Sequence, residues 1–345
     1  MLRRLPCLSA SLWLTACGFS ACGAPAATSS TTPIATPTSS PSALDLTPGT
    51  YELHEWGLLR AGPGDVLEVG TLAPVPAIEP IVVEKPVLYF HLGGDAPIDL
   101  GRASVEAIDG TIREHWPLAA ARVGPGEEAR VNWAPITLLP ERCAFMAPAD
   151  RGSACGSLPP GEVCESLSLA RTVTADASCV ETATGRSPIL FYRSTSRGLT
   201  VPIAANHIDF GDIGVRNDSD LEIPGLMIRF IEGSAGLRIV VFSPPAPHQN
   251  VLVGHEDQGT EAARQAILTT MTGLGLTVSE AEAFLASWEG ELFTSPPVAE
   301  EAEEAWERTS LLYFLPEALT ERVSRLDFDP PPSATHRALA IWTGM

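Results

Sequence analysis

Runs of alternating or continuously apolar residues, separated by glycine and proline turns, occupy most of the chain from residue 50 to residue 243. Runs of this length and residue type predict strands. Asp109-Gly110 and residues 233–236 are typical of hairpin turns. Antiparallel strands at this spacing indicate a β-sandwich. The expected strands cover residues 50–60, 66–70, 81–92, 103–108, 111–116, 129–133, 189–194, 199–205, 226–232 and 237–242.

A helical period replaces the alternation near the C-terminus. Apolar residues recur at helical spacing over residues 260–273, and Thr277 and Glu280 match a capping box that begins a second amphipathic helix. Two late strands are expected at 311–315 and 338–343. The predicted fold class is therefore mainly β (α+β), an antiparallel β-sandwich-like body with a C-terminal helix pair packed on a sheet.

The first 48 residues predict export and a tether. Arg3 and Arg4 precede a short apolar stretch, and Leu-Thr-Ala before Cys17 matches the pattern that bacterial lipoprotein signals place before the lipidated cysteine. The apolar stretch is too short to span a bilayer, which needs about 20 residues. Residues 18–48 are almost wholly Ala, Thr, Ser and Pro, so we expect a disordered tether. The alternative is a plain secretory signal that is cleaved nearby.

The predicted location is the cell envelope, on its periplasmic or cell-surface face, with the lipid on Cys17 as the contact with the membrane. The formal net charge is -20. Such an acidic chain argues against nucleic acid as a partner, because phosphate binding needs a basic surface. The protein or small-molecule ligand is left open, and no cofactor is predicted.

The folded region is expected to comprise a β-rich body over residues 49–257 and an integrated C-terminal part over 258–345. Residues 140–185 are rich in Gly, Pro and Ser and contain four cysteines. In an exported protein this composition favours two disulfides that staple a long excursion, and all three pairings stay open. Zinc is the alternative, although no Cys-x-x-Cys pair occurs. The four cysteines are Cys143, Cys155, Cys164 and Cys179.

Ionisable residues interrupt two of the most apolar predicted strands. A buried polar group must be paired, since an unpaired one costs about 1–3 kcal/mol. These residues are therefore either a structural network or a site. Imidazoles on neighbouring strands could also bind a divalent metal, with His54 and His91 as the first pair and His115 as a further ligand. The network residues are His54, Glu55, Glu84, Lys85 and His91.

Four motifs lie along the predicted strands and the late part of the chain. They are Leu53-His-Glu-Trp-Gly57, Lys85-Pro-Val-Leu-Tyr-Phe-His91, Ile189-Leu-Phe-Tyr-Arg193 and the late Ser287-Trp288 to Leu311-Leu-Tyr-Phe-Leu-Pro316. In combination they resemble an uncharacterised family of exported bacterial proteins of myxobacterial and planctomycete type. Leu58 and Leu59 depart from the family pattern, which has a Thr-Phe pair after Trp-Gly. The resemblance covers most of residues 50–343 and implies one integrated fold, with no activity or site residues.

The leading functional hypothesis is a membrane-tethered, non-enzymatic lipoprotein that binds or supports something in the envelope. The zinc-protease spacing that begins at His54 fails at Leu58, and neither a nucleophile elbow nor a phosphate-binding loop occurs. The alternative is an exported hydrolase, with or without a metal, that uses the five network residues. A metal or calcium binder without catalysis is a third hypothesis. A hydrolase should present these groups around an open cleft, whereas a binding module should bury and pair them.

Overall fold

The computed structural model of the chain describes residues 46–61, 81–117, 119, 129–143, 175–196, 199–208, 211–233, 236–294 and 308–345, with side chains in the second range from residue 86 onward. The N-terminal strands are β1 (Tyr51–Ala61), β2 (Ile81–Leu92), β3 (Ile98–Leu100), β4 (Arg102–Ala107), β5 (Thr111–Trp116), β6 (Arg130–Asn132) and β7 (Ile136–Leu139). The middle strands are β8 (Cys179–Thr182), β9 (Gly185–Ser187), β10 (Leu190–Ser196), β11 (Ile203–His207), β12 (Ile213–Asn217), β13 (Met227–Gly233), β14 (Gly236–Phe242) and β15 (Asn250–Val253). The C-terminal elements are α1 (Gly259–Gly273), α2 (Val278–Leu292), β16 (Arg308–Phe314), α3 (Glu317–Thr320), β17 (Ser324–Asp329) and β18 (Ala334–Gly344).

An eight-stranded sheet in the order β14-β13-β16-β18-β1-β2-β10-β5 forms the centre of the fold. Its middle strands, β1 and β18, pair in parallel from Glu52 opposite Ala334 to Ala61 opposite Thr343. β1 is buried along nearly its whole length, so its ionisable residues His54 and Glu55 need partners inside the fold. Three smaller sheets, β11-β12-β15, β17-β4-β6 and β3-β7-β8-β9, complete the β structure.

The two long helices cover one face of the central sheet. Trp56 of β1 and Tyr89 of β2 belong to the same buried cluster as Phe284 and Trp288 of α2. The rings of Trp56 and Phe284 meet edge to face with centroids 5.6 Å apart, an arrangement that aromatic pairs favour. The β-rich α+β fold class and the C-terminal helix pair are thus confirmed.

The opposite face of the central sheet packs on the small sheets. Leu53 and Phe90 share a buried cluster with Val105 of β4 and Phe328 of β17. The ring of Phe90 lies edge to face on that of Phe328, with centroids 5.7 Å apart. These layers give the β-sandwich-like arrangement. All described residues fall within one compact unit, and none of the helices among them is long and apolar enough to cross a membrane.

The hairpin predicted at Asp109-Gly110 is wrong. Asp109 does turn the chain, with a φ of 47°, but β4 pairs with β17 and β6 while β5 pairs with β10. A Cβ added to Gly110 would lie 1.7 Å from the carbonyl oxygen of Thr195, so the backbone of this turn packs directly on the backbone of β10. The hairpin predicted at residues 233–236 is confirmed, because β13 and β14 pair up to Gly233 opposite Gly236.

One disulfide lies among the described cysteines. Cys143 and Cys179 are bonded, with Cα atoms 5.2 Å apart. Cys155 and Cys164 lie outside the described residues, as do Cys17 and the predicted signal, most of the tether, and the strand predicted at 66–70.

Candidate functional site

The two-residue period of β1 sends its ionisable residues to opposite faces of the central sheet. Glu52 and His54 point to the same side as Trp56, which packs on the helices. Glu55 points to the side of Leu53, which packs on the small sheets. The consecutive residues His54 and Glu55 therefore belong to two separate networks.

On the helix face, Glu280 joins α2 to two strands. Glu280 is the third residue of α2, and its Oε2 accepts the backbone N–H of Thr277 in a complete capping box. The same oxygen accepts a hydrogen bond from Nδ1 of His54 at 2.8 Å. Oε1 accepts one from Nε2 of His91 at 2.8 Å. A single buried carboxylate thus accepts a hydrogen bond from the N-cap residue of α2 and from one ring nitrogen of each histidine.

The charge state of Glu280 determines the tautomers of these two histidines. Burial by itself would raise the pKa of Glu280, but the hydrogen bonds from His54 and His91 outweigh it and lower the pKa to about 2. An ionised carboxylate only accepts hydrogen bonds, so Nδ1 of His54 and Nε2 of His91 must each carry a proton. In a neutral His54 ring, the Nε2 lone pair therefore faces away from Glu280.

That second nitrogen of His54 faces Glu52 and His336. Nε2 of His54 lies 3.5 Å from Oε2 of Glu52, and Nε2 of His336 lies 3.9 Å from the same oxygen. His336 comes from β18, where it is the register partner of His54. Gly275, at the turn between the helices, has a φ of +94°, and a Cβ there would lie 2.2 Å from Nδ1 of His336. A glycine is thus required at this position both for its conformation and for its space.

The protonation of His336 follows from its surroundings. Burial and the neighbouring His54 lower its pKa below the usual value, and Glu52 partly opposes them. The neutral imidazole is therefore the favoured form of His336, the form in which histidine binds metals.

On the other face, Glu55 forms a buried ion pair with Arg337 of β18. Nε of Arg337 donates to Oε2 of Glu55 at 2.5 Å, and the hydroxyl of Tyr192 donates to Oε1 at 2.6 Å. Burial and the negative charge of Glu55 raise the pKa of Tyr192 well above its usual range, so this hydroxyl keeps its proton. Arg337 also donates to the backbone and side-chain oxygens of Ser324 and to Glu321. This network joins β1, β10, β17 and β18.

The structure brings together only part of the predicted residue set. His54 and His91 meet, with ring centroids 4.4 Å apart, whereas Glu55 lies across the sheet. Glu84 and Lys85 lie in β2, but their side chains fall outside the described part. His115 is on β5, two strands beyond β2, and its ring contacts Trp133.

Sequence reasoning missed four contributors. Glu52 lies two residues before His54, a spacing that places both on one strand face and could have been noticed. Glu280 was visible only as a helix cap. His336 and Arg337 carry no local signal, because they reach the site through the pairing of β18 with β1.

Comparisons with known proteins identify no family. No protein-family model matches the chain, and no curated protein matches it. Among solved structures, the chain is similar to the Fcho1 mu homology domain of Danio rerio with bound Eps15 peptide. That likeness has 8% sequence identity and a TM-score of 0.33, and covers 86% of this chain and 97% of the other. A likeness at this level carries no argument about function.

Proposed function

We propose that this chain is an exported lipoprotein, tethered to the cell envelope by a lipid on Cys17, whose folded region acts as a non-enzymatic binding or structural module. The proposal joins the N-terminal sequence pattern to the way in which the folded region uses its ionisable residues.

The observation that supports a non-enzymatic role is the burial and pairing of the residues that a hydrolase would need to expose. His54 and Glu55 are 0% exposed, and His91 is 7% exposed. His54 and His91 share one carboxylate at the start of α2, and Glu55 is held by Arg337 and Tyr192. Because Glu55 lies on the opposite face of the sheet, it cannot converge with the two histidines on one substrate atom.

These pairings have a clear architectural use. Glu280 connects α2 to β1 and β2, while Glu55 connects β1 to β10 and β18. Each network satisfies charged groups that would otherwise be expensive to bury. An acidic body that follows an Ala-, Thr-, Ser- and Pro-rich segment is suited to presenting a surface away from the membrane.

The lipid anchor is tested by exchanging cysteines in the exported protein. Cys17→Ser should move the protein from the membrane fraction to the soluble fraction, because the acyl chains attach to that thiol. Cys22→Ser is the matched control, since it removes a cysteine five residues further along the same segment, and it should leave the protein in the membrane fraction. Membrane retention of Cys17→Ser would contradict the anchor.

The structural role of the histidines is tested by His91→Leu, which removes the ring donor. Loss of the 2.8 Å hydrogen bond to Glu280 leaves a buried acceptor poorly satisfied and should lower the free energy of unfolding by about 1–3 kcal/mol. His255→Leu is the control, because His255 forms an exposed pair with Asp212, and it should cost less than about 1 kcal/mol. A hydrolytic activity that His91→Leu abolishes without changing stability would refute the non-enzymatic role.

A further inference from the structure

Two buried side-chain atoms on the helix face of the central sheet lie close together without forming a hydrogen bond. Nε2 of His54 and Oε2 of Glu52 are both inaccessible to solvent, and neither has a hydrogen-bond partner among the described residues. Their separation of 3.5 Å is too long for a hydrogen bond. Buried polar atoms in this state cost free energy unless something else satisfies them.

A third ligand atom lies beside them. Nε2 of His336 is 3.9 Å from Oε2 of Glu52, and Glu52, His54 and His336 each offer a ligand atom within 4.8 Å of those of the other two. A tetrahedral Zn²⁺ with ligand distances of about 2.0–2.1 Å would separate its ligands by about 3.4 Å. Small rotations of the side chains of Glu52 and His336, which are 18% and 32% exposed, would bring the ligand atoms to that separation.

We propose that Glu52, His54 and His336 bind a zinc ion on the helix face of the central sheet. Two imidazoles and one carboxylate are a ligand set that suits Zn²⁺ and disfavours Ca²⁺ and Mg²⁺, which take oxygen ligands. With three protein ligands, the ion keeps a fourth position for water or for a donor atom of a bound partner.

Glu280 serves as the outer partner of the site. It accepts the Nδ1 proton of His54 at 2.8 Å and so directs the Nε2 lone pair towards Glu52. This is the carboxylate–histidine–metal arrangement that fixes the ring and increases its basicity. Capping of α2 fixes Glu280 in turn through the backbone N–H of Thr277.

The neighbouring trio of His54, His91 and Glu280 is a poorer metal site. Its ligand atoms also lie within 4.8 Å of one another, but its nitrogens already donate hydrogen bonds of 2.8 Å to the carboxylate. All three residues are buried. A metal there would have to break two hydrogen bonds, whereas the site at Glu52 satisfies two atoms that lack any.

The test is a calorimetric titration of the full chain with Zn²⁺ after chelator treatment. We expect one equivalent of Zn²⁺ per chain and a higher Tm on binding, because zinc binds only the folded form of such a site. Glu52→Gln and His336→Gln should each weaken binding by more than about 100-fold and abolish the Tm increase, since loss even of an outer partner costs about 10–100-fold. Glu280→Gln should weaken zinc binding by about 10–100-fold, as expected for the loss of an outer partner.

Controls separate this site from binding elsewhere. His255→Gln, on an exposed His–Asp pair, should leave the zinc affinity unchanged. Glu52 and His336 are partly exposed, so both variants should fold, and an unchanged near-UV circular dichroism spectrum without zinc verifies this. Absence of stoichiometric binding to the unsubstituted protein, or wild-type affinity in both variants, would overturn the proposal. The distribution of the protein between membrane and soluble fractions should not change in either variant. The zinc proposal and the lipid-anchor proposal can therefore be refuted independently of each other.

Discussion

Arg337 binds two carboxylates in very different surroundings, and this contrast gives a quantitative prediction. Its Nε donates to Glu55, which is 0% exposed, at 2.5 Å, and its Nη1 donates to Glu321, which is 60% exposed, at 2.9 Å. Glu55→Gln removes one charge of a buried pair with almost no change in shape and should lower the free energy of unfolding by about 3–5 kcal/mol. Glu321→Gln removes a solvated charge and should cost less than about 1 kcal/mol.

Urea denaturation followed by tryptophan fluorescence and by far-UV circular dichroism measures both values. Coincident transitions would justify a two-state treatment, and an unchanged m value would show that only stability differs. The double variant Glu55→Gln/Arg337→Met should recover part of the loss, because it removes the uncompensated buried charge. Equal losses of unfolding free energy for Glu55→Gln and Glu321→Gln would refute the inference that burial determines how strongly each ion pair of Arg337 stabilises the fold.

Three further predictions concern separate parts of the fold. Glu114 is buried on β5, and burial, partly offset by Arg193, raises its pKa to about 7. Because the folded pKa is raised, the stabilisation linked to Glu114 is present at acidic pH and lost as pH rises towards 7. Glu114→Gln should therefore reduce the fall in stability between about pH 4.5 and pH 7, by up to about 3 kcal/mol; an unchanged pH profile would contradict this. Cys143→Ser opens the disulfide to Cys179, 36 residues away in sequence, and should lower the free energy of unfolding by about 2–4 kcal/mol in chemical denaturation. An unchanged stability of the unsubstituted protein in reductant would show that this prediction is wrong. Thr277→Ala removes the N-cap side chain of α2 and should lower stability by about 1 kcal/mol, whereas a neutral result would show that the cap contributes nothing.

Local periodicity was enough to predict the main strands and both long helices. The alternation of β1 and β10 and the capping box at Thr277 are properties of a few consecutive residues, and the structure has these elements within a few residues of the expected bounds. Short strands such as β3 and β12 were missed because three to five residues give too little pattern. The Asp109-Gly110 turn was recognised, but its sequence does not reveal that the flanking strands enter different sheets.

The candidate site depended on information that no local pattern contains. His54 and His91 could be paired from sequence, since both lie in aromatic runs that read as neighbouring strands. Grouping Glu55 with them overlooked the two-residue period of a strand, which turns adjacent side chains to opposite faces. His336 and Arg337 join the networks through a parallel pairing with a strand 282 residues earlier, and such a pairing is decided by the global fold.

Glu280 shows why the helix pair and the histidines must be considered together. A carboxylate at the third position of a helix is favoured by the helix dipole, and here the same group accepts a hydrogen bond from each of two strands. The capping interaction and the docking of α2 on the sheet therefore share one residue. The atoms of the proposed zinc site come from β1 and β18, and their orientation depends on α2. Because these elements meet only in the folded chain, zinc should bind the native state alone, and its binding free energy should add to the stability of the helix–sheet interface.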